Sequence, residues 1–320
     1  MNKKGILLLQ TTTPEQIKLL QNIAPNYEIV DGFSKETPDF PLDDIEILYG
    51  WNGKIGNALL HSPSSKLKWV QMHTAGVDFV DQSVMKEKDI LLTNSSGLHG
   101  KVIAESVFGM LLSYTRGIIE AIKDQPLKKW SGRENIMELQ DSTMMIVGAG
   151  RIGIEVAKLA KAFGMKTVGV NRTGKAVEHM DVIIKQSEMV NHIEEADIVV
   201  NILPLTKLTT YFFDKTIFSR MKNTAVFINV GRGKSVNAGD LVEALEEGQL
   251  AFAALDVFET EPLPTDSPLW DREDVLITPH ISGLLPKFNS RLLAIFEENL
   301  RAYVEGNELP RNLIDFERSY

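Results

Sequence analysis

Short apolar runs alternate with helical patterns along the first third of the chain. Residues 6–9 form an apolar run with the length of a buried strand, and Pro14–Ile23 has the spacing of a helix. Thr13 and Pro14 suit the N-cap and the first position of that helix. Further short strands are predicted at 28–30, 45–49, 68–72 and 90–93. Strands that alternate with helices predict βαβ units and a parallel sheet.

The pattern changes between residues 101 and 119, where apolar or small side chains recur at helical spacing around much of the circumference. Such a helix is predicted to be buried, either between domains or at a subunit interface. Residues 123–138 are polar and irregular, and they include Pro126 and Trp130. We interpret this stretch as a loop or arm that leads into a second domain.

A second alternating series follows the arm. Its predicted strands lie at 143–147, 167–170, 198–202, 225–230, 253–257 and 275–278, and a last helix is predicted at 289–305. Six parallel strands with helices between most of them fit a doubly wound sheet. The whole pattern therefore predicts the α/β class.

Length, charge and composition narrow the functional classes. The chain of 320 residues is long enough for two domains, and its net charge of -9 argues against a nucleic-acid partner. The absence of cysteine excludes a disulfide framework, a thiolate nucleophile and a cysteine-bound zinc, and most histidines show no metal-ligand spacing. The first apolar run ends at Gln10, too soon for a signal peptide, and no run approaches the ~20 residues of a membrane span. We expect a cytoplasmic protein without a metal.

The turn GAGRIG at 148–153 lies between a predicted strand and a predicted helix, which is the context that a dinucleotide-binding GxGxxG motif requires. Gly148 permits the tight turn, Gly150 lets the backbone approach a pyrophosphate, and Gly153 lets the helix pack close to the strand. The helix N-terminus then offers N–H groups to the anion. The cofactor-binding residues expected here are Gly148, Gly150, Arg151, Ile152 and Gly153.

The end of the following strand indicates which dinucleotide binds. An acidic residue there would accept the ribose 2′-hydroxyl of NAD, but the sequence has Asn171, Arg172 and Thr173. Arg172 can bind a 2′-phosphate with its planar guanidinium. We predict a preference for NADP, and NAD remains open if Arg172 only stacks on the adenine.

Three further segments stand at predicted strand ends in the second series, where ligands of open α/β sheets bind: 229–233, 256–262 and 278–283. Their residue types suit the reduction of a 2-oxo acid. Arg232 can bind the carboxylate and the charge that grows on the carbonyl oxygen, and His280 can deliver the proton. A carboxylate beside the histidine would orient it, with Glu261 the better placed candidate and Glu259 the reserve. Taken alone, Arg232 could form a surface salt bridge, Glu261 could be a solvated loop acid, and His280 could be a structural turn residue. Their joint occurrence after a dinucleotide-binding turn favours a role in reducing a 2-oxo acid.

From about residue 67 to about residue 305 the chain resembles the D-isomer-specific 2-hydroxyacid dehydrogenase family. The resemblance rests on TAGVD at 74–78, the turn at 148–153, LPLT at 203–206 and the three strand-end segments. It implies hydride transfer between NAD(P)H and a small 2-oxo or D-2-hydroxy acid, with Arg232, Glu261 and His280 as catalytic residues.

The resemblance also implies an organisation. Residues 1–97 and 287–320 would form the substrate domain and residues 98–286 the dinucleotide-binding domain, both Rossmann-like, with the active site in the cleft between them. Relatives of this kind are dimers with the long helix at the interface, so a homodimer is expected.

Further site residues follow from the resemblance. Backbone N–H groups of Ala75, Gly76 and Val77 would hold the substrate carboxylate. The cofactor would also be contacted by Leu203, Pro204, Thr209, Val230, Asp256 and Gly283. The sequence departs from the family pattern in two places. The segment Asn171–Thr173 lacks the acidic residue of NAD-using members. The sequence around His99 also differs from the commoner family sequence, so His99 lies either near the cleft or at a hinge or surface.

Two other functions stay open. One is an NAD-dependent phosphoglycerate dehydrogenase, although we see no phosphate-sized basic cluster in the first domain. The other is a non-catalytic dinucleotide-sensing regulator, against which Arg232, Glu261 and His280 count. The sequence leaves the particular 2-oxo acid and the physiological direction open.

Overall fold

The computed structural model describes residues 4–33, 40–132 and 136–316, and it divides into two compact units. The first unit is made of Met1–Leu98 and Leu285–Tyr320, and the second of His99–Leu284. Each unit contains one sheet in which all strand pairs are parallel. The α/β class predicted from the sequence is therefore confirmed.

The elements are as follows, in chain order. The strands are β1 (Lys4–Leu8), β2 (Tyr27–Asp31), β3 (Ile45–Tyr49), β4 (Trp69–Gln71), β5 (Leu91–Thr93), β6 (Thr143–Val147), β7 (Lys166–Asn171), β8 (Val182–Lys185), β9 (Ile198–Asn201), β10 (Val226–Asn229), β11 (Phe252–Leu255) and β12 (Val275–Ile277). The α-helices are α1 (Pro14–Ile23), α2 (Gly53–His61), α3 (Gln82–Glu87), α4 (Gly100–Thr115), α5 (Ile118–Asp124), α6 (Arg151–Ala162), α7 (Lys215–Phe218), α8 (Ala238–Glu246) and α9 (Phe288–Val304).

In the first unit the strands lie in the order β2-β1-β3-β4-β5, a doubly wound arrangement. Helix α1 begins with a capping box in which the side chains of Thr13 and Gln16 each bond the other residue's backbone N–H. On one face of the sheet, the ring of Trp69 stacks on Phe296 and Tyr303 of α9, at centroid distances of 5.0 and 5.4 Å. A helix from the far end of the sequence thus completes this core.

In the second unit the order is β12-β11-β10-β9-β6-β7-β8. The chain direction across the sheet reverses between β6 and β9, and ligands of such sheets bind at the carboxyl ends of the strands beside this switch point. The strands β9 and β10 are buried along their whole length between two apolar clusters, one on each face. Their residues must be apolar on both sides, which explains the uninterrupted runs in the sequence.

Two sequence predictions need correction in this unit. The helix expected over 101–119 is two helices, because Gly117 has a left-handed φ of +69° and α4 and α5 are bent by 67°. The sheet has seven strands where six were expected, since β8 was missed. The apolar run of that edge strand is only three residues long, Val182–Ile184, and only Ile184 is buried.

Among the described residues, no single helix has both the length and the apolar character needed to cross a membrane. Helices α4 and α5 meet those criteria only as a bent pair.

Candidate active site

The glycine-rich turn joins β6 to α6 beside the switch point. Gly148 has a φ of +105°, and a Cβ on it would lie 2.8 Å from the carbonyl oxygen of Ile202. Glycine is therefore required by both the backbone conformation and the neighbouring strand end. A Cβ on Gly150 would meet no described atom within 4 Å. The turn thus faces open space where a pyrophosphate is expected.

Helix α6 follows at once, with Arg151, Ile152 and Gly153 in its first turn. A Cβ on Gly153 would lie 3.0 Å from the carbonyl oxygen of Gly148, so the glycine permits close packing of helix and turn. Within the described part of the chain, no side chain caps this helix N-terminus. Its N–H groups and dipole therefore fit a phosphate anion.

The turn after β7 is organised by one asparagine. Asn171 Oδ1 accepts hydrogen bonds from the N–H groups of Thr173 (3.0 Å) and Gly174 (2.7 Å), and its Nδ2 donates to the carbonyl of Lys175 (2.9 Å). Arg172 is exposed at this turn, and it makes no hydrogen bond or ion pair with any residue that the structure describes. A rigid turn therefore presents a guanidinium that is available to a ligand.

Two asparagines at strand ends form a buried network that the sequence reasoning missed. Asn201 Nδ2 donates to Asn229 Oδ1 (3.0 Å) and to Ser235 Oγ (2.7 Å), while Asn201 Oδ1 accepts from the N–H of Leu203 (3.1 Å). Ser235 Oγ donates in turn to the carbonyl of Arg232. The network fixes the backbone at Leu203, a predicted cofactor contact, and at Arg232, a predicted catalytic residue. The sequence signal that could have predicted this network is the asparagine at the end of each of two apolar strands, β9 and β10.

The turn after β9 is closed by Thr209. Its hydroxyl donates to the carbonyl of Pro204 (2.6 Å) and accepts from the N–H of Thr206 (2.7 Å), and the residue is 5% exposed. Thr209 therefore shapes the turn that carries Leu203 and Pro204. A direct contact between Thr209 and a cofactor phosphate stays a prediction, as does the cofactor contact expected for the buried Val230.

The histidine and one glutamate expected to work together are in contact. His280 Nδ1 lies 2.6 Å from Glu261 Oε2, and Glu261 Oε1 accepts from the N–H of Phe258 (2.9 Å). Because an ionised carboxylate only accepts, the ring donates Nδ1–H to it. Nε2 has no partner among the described residues and is left for a substrate. Glu259, the reserve candidate, is not beside His280: its Oε1 accepts from the N–H of Ala238 (2.7 Å).

Asp256 holds the segment that carries the histidine. Its fully buried carboxylate accepts from Thr278 Oγ1 (2.6 Å) and from the N–H groups of Ile281 (2.9 Å) and Ser282 (3.0 Å). Its backbone carbonyl accepts from the N–H of His280 (2.9 Å), a residue with a left-handed φ of +53°. These bonds offset the strain of that conformation. A direct contact of Asp256 with the nicotinamide stays a prediction.

The same segment is tied to α4. His99 Nδ1 lies 2.9 Å from the carbonyl oxygen of Gly283, and Ser106 Oγ donates to the carbonyl of Ser282 (3.3 Å). His99 was expected either near the cleft or at a hinge or surface. Its contact with the Gly283 carbonyl is a structural one. Gly283 contributes its carbonyl to that contact, and the cofactor contact expected for it stays a prediction.

Arg232 follows β10 and is half-buried, and its Nη1 donates to the carbonyl of Gly231 (2.9 Å). The next residue, Gly233, packs directly on the loop that leads to Glu261. A Cβ on Gly233 would overlap the carbonyl group of Phe258, so only glycine allows this approach. The structure thus packs the Arg232 segment and the Glu261 loop against each other.

In the first unit, the loop after β4 has an unusual distribution of hydrogen bonds. The four carbonyl groups from Thr74 to Val77 all accept hydrogen bonds. Their donors, in chain order, are Ser95 N (3.1 Å), Asn94 Nδ2 (2.7 Å), Thr74 Oγ1 (2.7 Å) and Gln82 Nε2 (3.1 Å). The N–H groups of Ala75, Gly76 and Val77 donate to no described residue. Three free donors on a loop with occupied carbonyls suit a carboxylate.

His73 lies directly before this loop. Its Nδ1 is buried and has no hydrogen-bond partner among the residues that the structure describes. Burial lowers the pKa of His73, which keeps the ring uncharged.

Comparison with known proteins bears on this geometry. Residues 108–282 match the family model described as the NAD-binding domain of D-isomer specific 2-hydroxyacid dehydrogenases. A glyoxylate reductase from Korarchaeum cryptofilum is 33% identical over 266 residues, which cover 82% of this chain and 80% of that protein.

Solved structures are similar over almost the whole chain. A D-isomer specific 2-hydroxyacid dehydrogenase family protein from Aeromonas salmonicida matches with a TM-score of 0.84 at 33% identity, covering 98% of this chain and 100% of its own. An NADPH-dependent glyoxylate/hydroxypyruvate reductase from Sinorhizobium meliloti, in complex with NADP and sulfate, matches with a TM-score of 0.83 at 26% identity, covering 99% and 100%. The resemblance inferred from the sequence is confirmed, and the chain belongs to the D-isomer specific 2-hydroxyacid dehydrogenase family of NAD(P)-dependent oxidoreductases.

Proposed function

We propose that the chain reduces small 2-oxo acids to D-2-hydroxy acids and prefers NADPH as the hydride donor. The observation that carries the proposal is the hydrogen bond of 2.6 Å between His280 Nδ1 and Glu261 Oε2, with Nε2 left open. A carboxylate that holds one ring nitrogen fixes the tautomer and the direction of the other. This arrangement suits a general acid aimed at a carbonyl oxygen.

The bound nicotinamide would supply the hydride. His280 protonates the carbonyl oxygen through Nε2, and Glu261 orients the ring and stabilises its charged form. The guanidinium of Arg232 binds the substrate carboxylate and the negative charge that develops on the carbonyl oxygen. In the first unit, the free N–H groups of Ala75–Val77 form a site for a carboxylate. In the oxidative direction, His280 accepts the proton.

The cofactor fits the second unit in two places. The open turn at Gly150 and the uncapped N-terminus of α6 suit the pyrophosphate. Arg172, which has no described partner, suits a 2′-phosphate. A carboxylate at this turn would repel that phosphate, and the sequence 171–175 contains none.

The test of the reaction is the loss of NADPH and NADH absorbance with glyoxylate, hydroxypyruvate, pyruvate and phenylpyruvate. We expect turnover, faster with NADPH. His280→Ala should lower kcat by about 10²- to 10⁴-fold because the proton donor is lost. Arg232→Ala should lower kcat/KM by at least about 10²-fold while NADPH still binds.

The matched control is His192→Ala, because His192 Nδ1 also pairs with a glutamate, Glu195, at 3.2 Å on an exposed surface. That variant should keep wild-type turnover. Wild-type turnover by His280→Ala would contradict the proposed mechanism. NADPH binding without turnover of any acid would favour the sensing regulator, and oxidation of 3-phosphoglycerate alone would favour the phosphoglycerate dehydrogenase.

The cofactor preference has its own test. Arg172→Ala should raise the KM for NADPH by about tenfold or more, because a hydrogen bond between charged groups is worth roughly 1.5–3 kcal/mol. The KM for NADH should change little. Arg220→Ala, which removes an exposed arginine elsewhere in the second unit, is the control. Equal effects of Arg172→Ala on both cofactors would refute the role of Arg172.

A further inference from the structure

Glu259 lies two residues before Glu261, but its carboxylate is directed to a different part of the second unit. Its Oε1 accepts from the N–H of Ala238 (2.7 Å), and its Oε2 accepts from the hydroxyl of Tyr211 (3.3 Å). Ala238 is the first residue of α8, and its N–H has no partner within the helix. A carboxylate at this position also interacts favourably with the helix dipole. Glu259 therefore joins its loop to the start of α8.

The partners of Glu259 are themselves fixed. The N–H of Tyr211 donates to the carbonyl of Lys234 (2.8 Å), and Asn237 caps α8 by accepting from the N–H of Asp240 (3.1 Å). The negative charge of Glu259 raises the pKa of the Tyr211 hydroxyl, as expected for a phenol that donates to a carboxylate. Glu259 thus bonds two groups that are anchored next to the Arg232 segment.

Phe258 and Leu263 of the loop pack against the apolar core and Gly233 packs on Phe258, but part of the loop borders a cavity. A cavity of about 310 Å³ lies between the loop and α8. It is lined among others by Val236, Leu241, Phe258, Leu263 and Leu269. Side chains that border a cavity lose contacts that would otherwise hold them. The two polar bonds of Glu259 add to the apolar contacts that hold the loop.

The position of the loop matters for His280. The N–H of Phe258 donates to Glu261 Oε1 (2.9 Å), and Glu261 Oε2 contacts His280 Nδ1 (2.6 Å). A shift of residues 258 and 259 would move both the N–H that holds Glu261 and the carboxylate that holds the histidine.

We propose that Glu259 is a positioning residue that fastens the loop of Glu261 to the first turn of α8 and so holds His280 in its reactive orientation. The inference rests on the proposed function of Glu261 and His280. Glu259 touches neither substrate nor cofactor in this account. Its loss should therefore affect kcat and leave binding nearly intact.

The first test is Glu259→Ala, followed by kcat, the KM for the best 2-oxo acid, and NADPH binding measured by fluorescence. We expect kcat to fall by about 10- to 100-fold, because a displacement near 1 Å can cost about 10²-fold. KM and NADPH affinity should change by less than about threefold, since Glu259 does not contact either ligand. Glu259→Gln keeps an acceptor oxygen for Ala238 and should recover most of kcat.

A second variant removes the same bond from the other side. Ala238→Pro deletes the N–H that Glu259 accepts, at the first helical position, where proline is well tolerated. It should lower kcat in the same direction as Glu259→Ala, and the double variant should be no slower than Glu259→Ala alone, because both changes remove the same bond. Glu247→Ala, an exposed acid at the other end of α8, is the control and should keep wild-type kcat.

The outcomes separate the two proposals. Wild-type turnover by His280→Ala and Glu261→Ala would overturn the proposed function. If those variants lose activity while Glu259→Ala and Ala238→Pro keep wild-type kcat, only the positioning role is wrong. A folded Glu259→Gln as slow as Glu259→Ala would also overturn it, because the acceptor oxygen would then not matter. If Glu259→Ala does not fold, Ala238→Pro and Glu259→Gln decide by the same criteria.

Discussion

The half-buried imidazole of His73 makes the stability of the chain depend on pH. Burial lowers its pKa in the folded state. At pH values well above about 6.5, the ring is uncharged in both folded and unfolded chains and has no effect on the free energy of unfolding. Below that pH the unfolded chain binds more protons, so the free energy of unfolding falls as pH decreases toward the folded pKa. We expect His73→Gln to lose less stability between pH 7.5 and 5.5 than the wild type, measured by the midpoint of urea unfolding.

The comparison needs a histidine that is not buried. His61→Gln replaces an exposed ring at the end of α2 in the same unit. This control should follow the wild-type midpoint across the pH range. Parallel pH profiles for the wild type and His73→Gln would show that burial of His73 has no linked effect on folding.

Single residues also show what sequence could and could not predict. The pairing of His280 with Glu261 was expected from residue types at neighbouring strand ends, and the structure has that contact at 2.6 Å. The direction of Glu259 could not be expected, because it depends on α8, which begins about 20 residues earlier in the chain. The buried Nδ1 atom of His73, which has no hydrogen-bond partner among the described residues, could not be predicted either, because burial depends on the packing of distant segments. Residue types and their order along the chain predict which residues are candidates for a site. The direction of each side chain can be known only from the folded structure.

At the scale of elements, the sequence performed best where an element is buried on both faces. The strands β3 and β6 lie at the predicted residues, and the other predicted strands are displaced by no more than about two. Buried parallel strands read as continuous apolar runs between turn residues, so periodicity suffices. The edge strand β8 has an apolar run of only three residues, of which Ile184 alone is buried. The break at Gly117 was missed because apolar spacing continues through it, and only the left-handed glycine separates α4 from α5.

At the scale of the whole molecule, an exposed apolar surface suggests self-association. It follows α4 and consists of Ile118, Ile122, Leu127 and Trp130, which are 43, 63, 73 and 103% exposed. Large apolar side chains that are exposed close together along the chain often mark an interface. We expect a homodimer through this surface. Trp130→Glu combined with Leu127→Glu should shift the mass measured by light scattering toward the monomer, because burying a charge is costly.

The control for this prediction is Leu208→Glu, which changes a single leucine that is 79% exposed elsewhere in the second unit. It should leave the measured mass unchanged. A wild-type chain that is monomeric at all concentrations, or a double variant that stays dimeric, would rule out this interface.

The first unit is assembled from both ends of the sequence, which has a consequence for synthesis on the ribosome. Its core needs Phe296 and Tyr303 of α9 against Trp69, and residue 313 bridges to Thr93 at the edge of the sheet. The second unit, by contrast, is continuous and complete at Leu284. Domains generally fold as units once all their residues are available. The second unit should therefore fold before the first, although the first five strands belong to the first unit. The N-terminal strands, although made first, must wait with their apolar faces uncovered until α9 has left the exit tunnel.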